Sequence, residues 1–176
     1  MSKIQLKKEL QTMEAPQLRE MILEAYSARK EIKEYFEFFL NPDIEHLLDK
    51  YQTIILKELR RTKRGSYSKA RISFIRKQIK EFSSFQPGYE ALLDIRFFTL
   101  ANAINLEAYL YYPDTLYKGI ALLINDILDI ANVSQVFAET QQRLEKLLSK
   151  STLGTRRYRT YLASVLRDAL STTALL

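Results

Sequence analysis

A chain of 176 residues with 47% hydrophobic and 27% charged side chains has ordinary globular usage, and at this length one domain buries about 70% of its unfolded surface without a covalent staple. It has no cysteine, which excludes disulfide scaffolds, thiolate nucleophiles and cysteine-built zinc or iron–sulfur sites and fits a cytoplasmic protein. The net charge of +6 is strongly partitioned: residues 1–56 carry −2, 57–80 carry +9, 81–142 carry −6 and 143–176 carry +5, so residues 57–80 are a distinct charged block and not a sample of a generally basic protein.

The opening "MSKIQLKKELQTMEA" is interrupted by charge too often to be a signal peptide. No stretch reaches the roughly 18 apolar residues of a membrane span, so a soluble chain with no membrane partner is expected. Glycine and proline are scarce, four of each, and apolar residues recur at spacings of three and four, which predicts helices throughout and no strand pairing. Pro16, Pro42, Pro87 and Pro113 each precede a long periodic segment, where a missing N–H costs nothing.

Residues 16–40 place Leu18, Met21, Ile22, Ala25, Ile32, Tyr35, Phe36, Phe39 and Leu40 on one arc, with Glu20, Glu24, Glu31 and Glu34 mostly opposite. Arg29 falls inside the apolar arc, which implies either a helix break near Ser27 or a buried carboxylate partner; the break, or a snorkelling side chain, is the preferred reading. "NPD" at 41–43 ends that segment and opens a helix to about residue 61. A basic loop, "TKRGSYS", follows, with Ser68 as the expected N-cap of a helix to about residue 85. Residues 87–112 are apolar nearly all round, which predicts a central core helix. Further helices are expected over 113–131, from "NVS" to residue 150, and to about 170 after a "TLGT" loop with Gly154 at a helix C′ position. The prolines of each pair, Pro16 and Pro42, Pro87 and Pro113, stand at equal spacing. That spacing reads either as a duplicated helical hairpin or as coincidence, since the intervening sequences scarcely match.

The sequence therefore predicts an all-α chain, residues 1–176 forming one domain of seven to eight helices in an orthogonal or superhelical array of hairpins.

Chemistry is harder to find. His46 is the lone histidine, so neither paired Glu-x-x-His motifs nor HExxH can be assembled, and no metal or other cofactor is expected. Asp43, His46 and Asp49 share a helical face but supply at most three ligands; a surface histidine is the simpler reading. Asp126 with Asp129, and Glu31 with Glu34 and Glu37, have the spacing of ordinary solvated helix faces. No phosphate-loop, dinucleotide or nucleophile-elbow pattern is present, and no catalytic residues are assigned.

The basic block supplies the candidate site. Beyond Ser68, Ile72, Ile75, Ile79 and Phe82 form an apolar face, while Lys69, Ser73, Arg76, Lys77 and Lys80 gather on an arc beside it. Lys63 and Arg64 extend this stripe from the loop, and Arg156, Arg159 and Arg167 share part of a face on the last helix. Such a stripe suits phosphate backbones, yet only Tyr67 and Phe74 lie within the block to stack on bases, and the acidic 81–142 segment is an alternative counter-surface. Two functions follow: a non-catalytic binding or scaffold module with a protein partner or a second copy of itself, and, as the alternative, nucleic-acid binding through residues 57–80.

Three segments, "KEYFEFFLNPD" (33–43), "YSKARISFIRKQIKEF" (67–82) and "LGTRRYRTYLASVLRDAL" (153–170), together resemble a bacterial all-helical domain family of unknown function. The resemblance covers most of the chain and implies a small soluble bacterial protein without an assigned activity. It offers no catalytic residues, and it implies that the "SKA" start is scaffold, with structural roles for Ser68 and Ala70.

Overall fold

The computed structural model describes residues 2–63, 65–150 and 152–173, with residues 172 and 173 described as backbone alone. Nine α-helices and no strand lie among the described residues: α1 Lys3–Thr12, α2 Ala15–Ala28, α3 Lys30–Leu40, α4 Ile44–Leu59, α5 Ile72–Ser84, α6 Tyr89–Glu107, α7 Asp114–Val133, α8 Phe137–Ser149 and α9 Arg156–Thr173. The expected all-α class holds. The chain divides into two compact units, Met1–Asp43 and Ile44–Leu176.

In the first unit, α1 starts on a reciprocal cap: Ser2 Oγ accepts from the Gln5 N–H at 3.2 Å, and Gln5 Oε1 accepts from the Ser2 N–H at 2.9 Å. Pro16 lies in the first turn of α2. The chain is extended at Arg29, with φ −138° and ψ 123°, and this separates α2 from α3. The arginine thereby escapes the apolar arc into solvent, as the expected break allows. Residues 16–42 therefore hold two helices where 87–113 hold one, so the two proline pairs do not enclose equivalent elements. α2 packs on α3, joined by the Tyr26 hydroxyl donating to Glu37 Oε1 at 3.3 Å. Leu18, Met21, Ala25, Ile32 and Phe36 are half-buried, but α1, α2 and α3 contain no buried residue.

The second unit holds the core. α6 packs against α4, α5, α7 and α9 and buries Leu93, Ile95, Phe97, Leu100 and Ile104 among others, the central role its all-round apolarity predicts. Against it lie Ile55 and Leu59 of α4, Ile75 and Phe82 of α5, and Ile120, Leu123, Ile124 and Ile127 of α7, all fully buried. α5 buries Ile75, Ile79 and Phe82 as expected, and Ile72 meets Gly119 of α7 so closely that an added Cβ would stand 2.5 Å from Ile72 Cγ1. α9 inserts Tyr158, which is fully buried and donates its hydroxyl to the Tyr117 carbonyl at 3.1 Å.

Several expected boundaries move, each for a tertiary reason. α6 stops at Glu107, not 112, because the chain turns so that Tyr111 can pair with the basic loop. Gly154 is not a helix C′ residue: α8 is capped at Lys150. Gly154 takes φ +62° in the following loop, where an added Cβ would fall against the Ile104 carbonyl and 2.8 Å from its Cγ2. α1 is a helix that the sequence reading does not anticipate.

Candidate functional site

The stretch between α4 and α5 is organised by the one acid of the 57–80 block. Glu58, 5% exposed, accepts from Arg61 Nη1 at 2.8 Å, from the Arg71 N–H and Nε at 2.9 Å each, and from Arg71 Nη2 at 3.2 Å. Burial alone would raise its pKa. The hydrogen bonds from Arg71 and Arg61, with the charge of Arg61, outweigh that and hold it below the ordinary value. Arg71 in turn lies over the Phe74 ring, 4.9 Å from its centroid. Two cations of the basic run are thus engaged inside the chain.

Tethered in this way, residues 62–63 are held close to residues 66–68. Thr62 and Ser68 make an isolated antiparallel bridge and Tyr67 and Tyr111 a parallel one. The Lys63 N–H donates to the Tyr67 carbonyl at 2.9 Å, and the Tyr111 N–H to the Ser66 carbonyl at 2.6 Å. Ser68 is consequently not the N-cap of α5, which begins at Ile72 after Arg71. Its buried hydroxyl instead accepts from the Ala70 N–H at 3.2 Å, closing a local turn. Lys69 therefore precedes the helix, its N–H donating to the Arg61 carbonyl at 2.7 Å. Lys63 and Lys69 are exposed; Arg64 lies outside the described residues.

The other four stripe residues meet in one place. Ser73, Arg76, Lys77 and Lys80 of α5 line a groove of about 600 Å³ that is floored and walled by Arg96 of α6 and Asp126 and Asp129 of α7, with Ile79, Ser83 and Ile130 completing it. Arg76 Nη2 contacts both oxygens of Asp126, at 3.3 and 3.2 Å, and Lys77 Nζ stands 3.5 Å from Glu81 Oε1. Arg96 is half-buried. Its Nη1 donates to the Leu92 carbonyl at 2.7 Å, and its Nε is buried without a hydrogen-bond partner among the described residues. Burial lowers the Arg96 pKa; the charge of Asp126 opposes this and that of Arg76 adds to it. One carboxylate therefore serves two guanidinium groups.

A second recess, of about 410 Å³, lies by Glu107, Tyr109, Tyr111, Tyr112, Tyr117 and Arg157. Glu107 Oε2 accepts from the Thr155 N–H at 3.1 Å and hydroxyl at 2.7 Å, fixing the start of α9. Tyr112 donates its hydroxyl to the Ala103 carbonyl at 2.9 Å, and burial raises its pKa, as it does that of Tyr158. The outer tyrosines stay open: Tyr67 and Tyr111 are 59% and 61% exposed with ring centroids 5.0 Å apart.

His46 is an exposed residue of α4. No cluster of three or more metal-ligating side chains occurs among the described residues. Lys30–Glu34 and Lys33–Glu37 pair along α3 as on a solvated helix face. Arg159 Nη1 donates to the Lys150 carbonyl at 2.9 Å, and Arg167 Nε to the Ala163 carbonyl at 3.4 Å. No helix among the described residues is long and apolar enough to cross a membrane. The groove residues the stripe did not announce are Arg96, the single cation of α6, and Asp126 and Asp129, visible only as an ordinary carboxylate spacing.

Fold and site together define an all-helical chain whose basic stripe is built into a mixed-charge groove. It belongs to a family of unknown function, DUF6155, whose model matches residues 1–167. No curated protein and no solved structure matches it.

Proposed function

We propose that this protein is a non-catalytic binding or scaffold module that engages a protein, either another chain or a second copy of itself, through residues 1–43. One observation carries the reading. Three helices in succession contain no buried residue, while Ile4 is 71%, Leu23 65%, Phe39 66% and Leu40 75% exposed. A unit of about forty residues without a core of its own ordinarily requires association to hold its fold, and large apolar side chains left in water together mark interaction surfaces. The paired charges along α3 leave its apolar side as the feature with the most to gain from a partner. The wider reading is a bacterial, cytoplasmic protein, supported by the cysteine-free sequence and the segment resemblance.

The test replaces Phe39 and Leu40 by Glu. Both are exposed, so helicity should be unchanged, while assembly measured by sedimentation, or complex formation measured by pull-down, should be lost. Equal assembly and equal capture in native and variant chains would refute the proposal.

Nucleic-acid binding through residues 57–80 is a second reading. It is favoured by the convergence of Ser73, Arg76, Lys77 and Lys80 on one groove and by the exposed Tyr67–Tyr111 pair. Against it stand Glu58, which engages Arg61 and Arg71, and Asp126, which engages Arg76. The chain has no tryptophan, so a raised 260/280 nm absorbance ratio would readily reveal bound nucleic acid. This reading requires binding at low salt that falls steeply with added salt and disappears when Arg76, Lys77 and Lys80 are replaced by Glu. No binding at low salt would eliminate it.

A further inference from the structure

We propose that the groove between α5, α6 and α7 binds the phosphate group of a small phosphate monoester, with Lys77, Lys80 and Arg96 holding the anion. The proposal rests on the second unit alone and is independent of what residues 1–43 engage.

Charge balance is the first argument. Four cations, Arg76, Lys77, Lys80 and Arg96, face two carboxylates, Asp126 and Asp129, in the same recess. Glu81 reaches Lys77 only from an exposed pair at 3.5 Å. The recess is therefore left with one to two positive charges unanswered, and a phosphate monoester brings about −1.5 to −2 at neutral pH.

The second argument is Arg96. A guanidinium taken out of water costs free energy unless its donors and charge are met. Here a single backbone carbonyl takes Nη1, Nε has no partner among the described residues, and the nearest carboxylate, Asp126, is already bonded to Arg76. Burial lowers the pKa of Arg96, and the charge of Asp126 only opposes that shift. An anion seated beside it supplies what the protein withholds. Lys80 on the rim has no ion pair among the described residues, and Ser73 adds a hydroxyl.

Shape and the acidic wall choose the ligand class. A recess of about 600 Å³ is within the usual range for small-molecule sites, roughly 300–1,000 Å³. Ile79 and Ile130 offer apolar contact for a carbon body, and Asp129, which has no ion pair among the described residues, can accept from a ligand hydroxyl. A continuous nucleic-acid backbone would instead run its successive phosphates past Asp126 and Asp129 and be repelled.

Binding is measured on the full chain at low salt by ³¹P line broadening and calorimetry, with glucose 6-phosphate, glucose, inorganic phosphate and a single-stranded oligonucleotide as probes. The ester should bind, glucose should not, and inorganic phosphate should bind more weakly than the ester. Lys77→Ala with Lys80→Ala should weaken the ester by about ten-fold or more, since each removes a charge-assisted contact. Both side chains are exposed, so folding is not at stake. Asp129→Asn should tighten inorganic phosphate by about two- to five-fold through loss of a like charge. The proposal is overturned if the ester does not bind, if the lysine variant binds it as the native chain does, if inorganic phosphate binds as tightly as the ester, or if the oligonucleotide displaces it.

Discussion

Glu58 shows how one side chain can decide what a basic run presents. It is the only acid between Lys57 and Lys80, and it bonds two arginines that stand on either side of the loop. Its bonds to the Arg61 side chain and the Arg71 N–H hold those two residues together, and α5 starts only after Arg71. Replacing Glu58 by Gln keeps the shape and removes the charge, and should cost about 1.5–3 kcal/mol, the range for hydrogen bonds to charged groups. Because the folded-state pKa is lowered, the carboxylate's contribution is fully present above the ordinary value of 4.5 and is lost as pH falls through the folded value. Urea unfolding should therefore separate native and Glu58→Gln chains at pH 7 and bring them together in acid. A constant gap across that range would show that the charge is not the stabilising feature.

At the level of elements, the helices that could be read from sequence are those whose ends are set locally. Pro16 and Pro113 mark boundaries through their own backbone preferences, and the break at Arg29 is signalled by a charge inside an apolar arc. α1 carried a readable signal as well, the Ser2-x-x-Gln5 capping pair, hidden because its helix has little apolar periodicity. The misplaced boundaries depend on distant residues: Ser68 is drawn from its expected capping role by the pairing with Tyr111, and Gly154 answers to Ile104. The groove was half legible for the same reason. Ser73, Arg76, Lys77 and Lys80 share a helical face, which spacing reveals; Arg96, Asp126 and Asp129 join them only through packing of α5, α6 and α7. α3 is the converse case, an amphipathic helix whose apolar residues are obvious in sequence and remain largely uncovered in the structure, which is why Phe39 and Leu40 are the positions to change.

For the whole molecule, the partition of burial is the governing fact. Every buried residue among those described lies in 44–176, including the fully buried Ile55, Phe82, Ile95, Leu100, Ile124 and Tyr158. A chain comprising residues 44–176 should thus fold cooperatively by itself, with stability within about 1 kcal/mol of the full chain's main transition, as expected for loss of residues that bury no core. Failure of that fragment to fold would show that residues 1–43 stabilise the rest.

In the proposed function, residues 1–43 are the surface that meets a protein. The most direct test captures the tagged full chain from cells that also contain the untagged chain, in parallel with the Phe39→Glu, Leu40→Glu variant, and quantifies every co-purifying protein. At least one stoichiometric companion, the untagged copy or another protein, should be present with the native chain and absent with the variant. Identical sets of proteins in the two captures would contradict it.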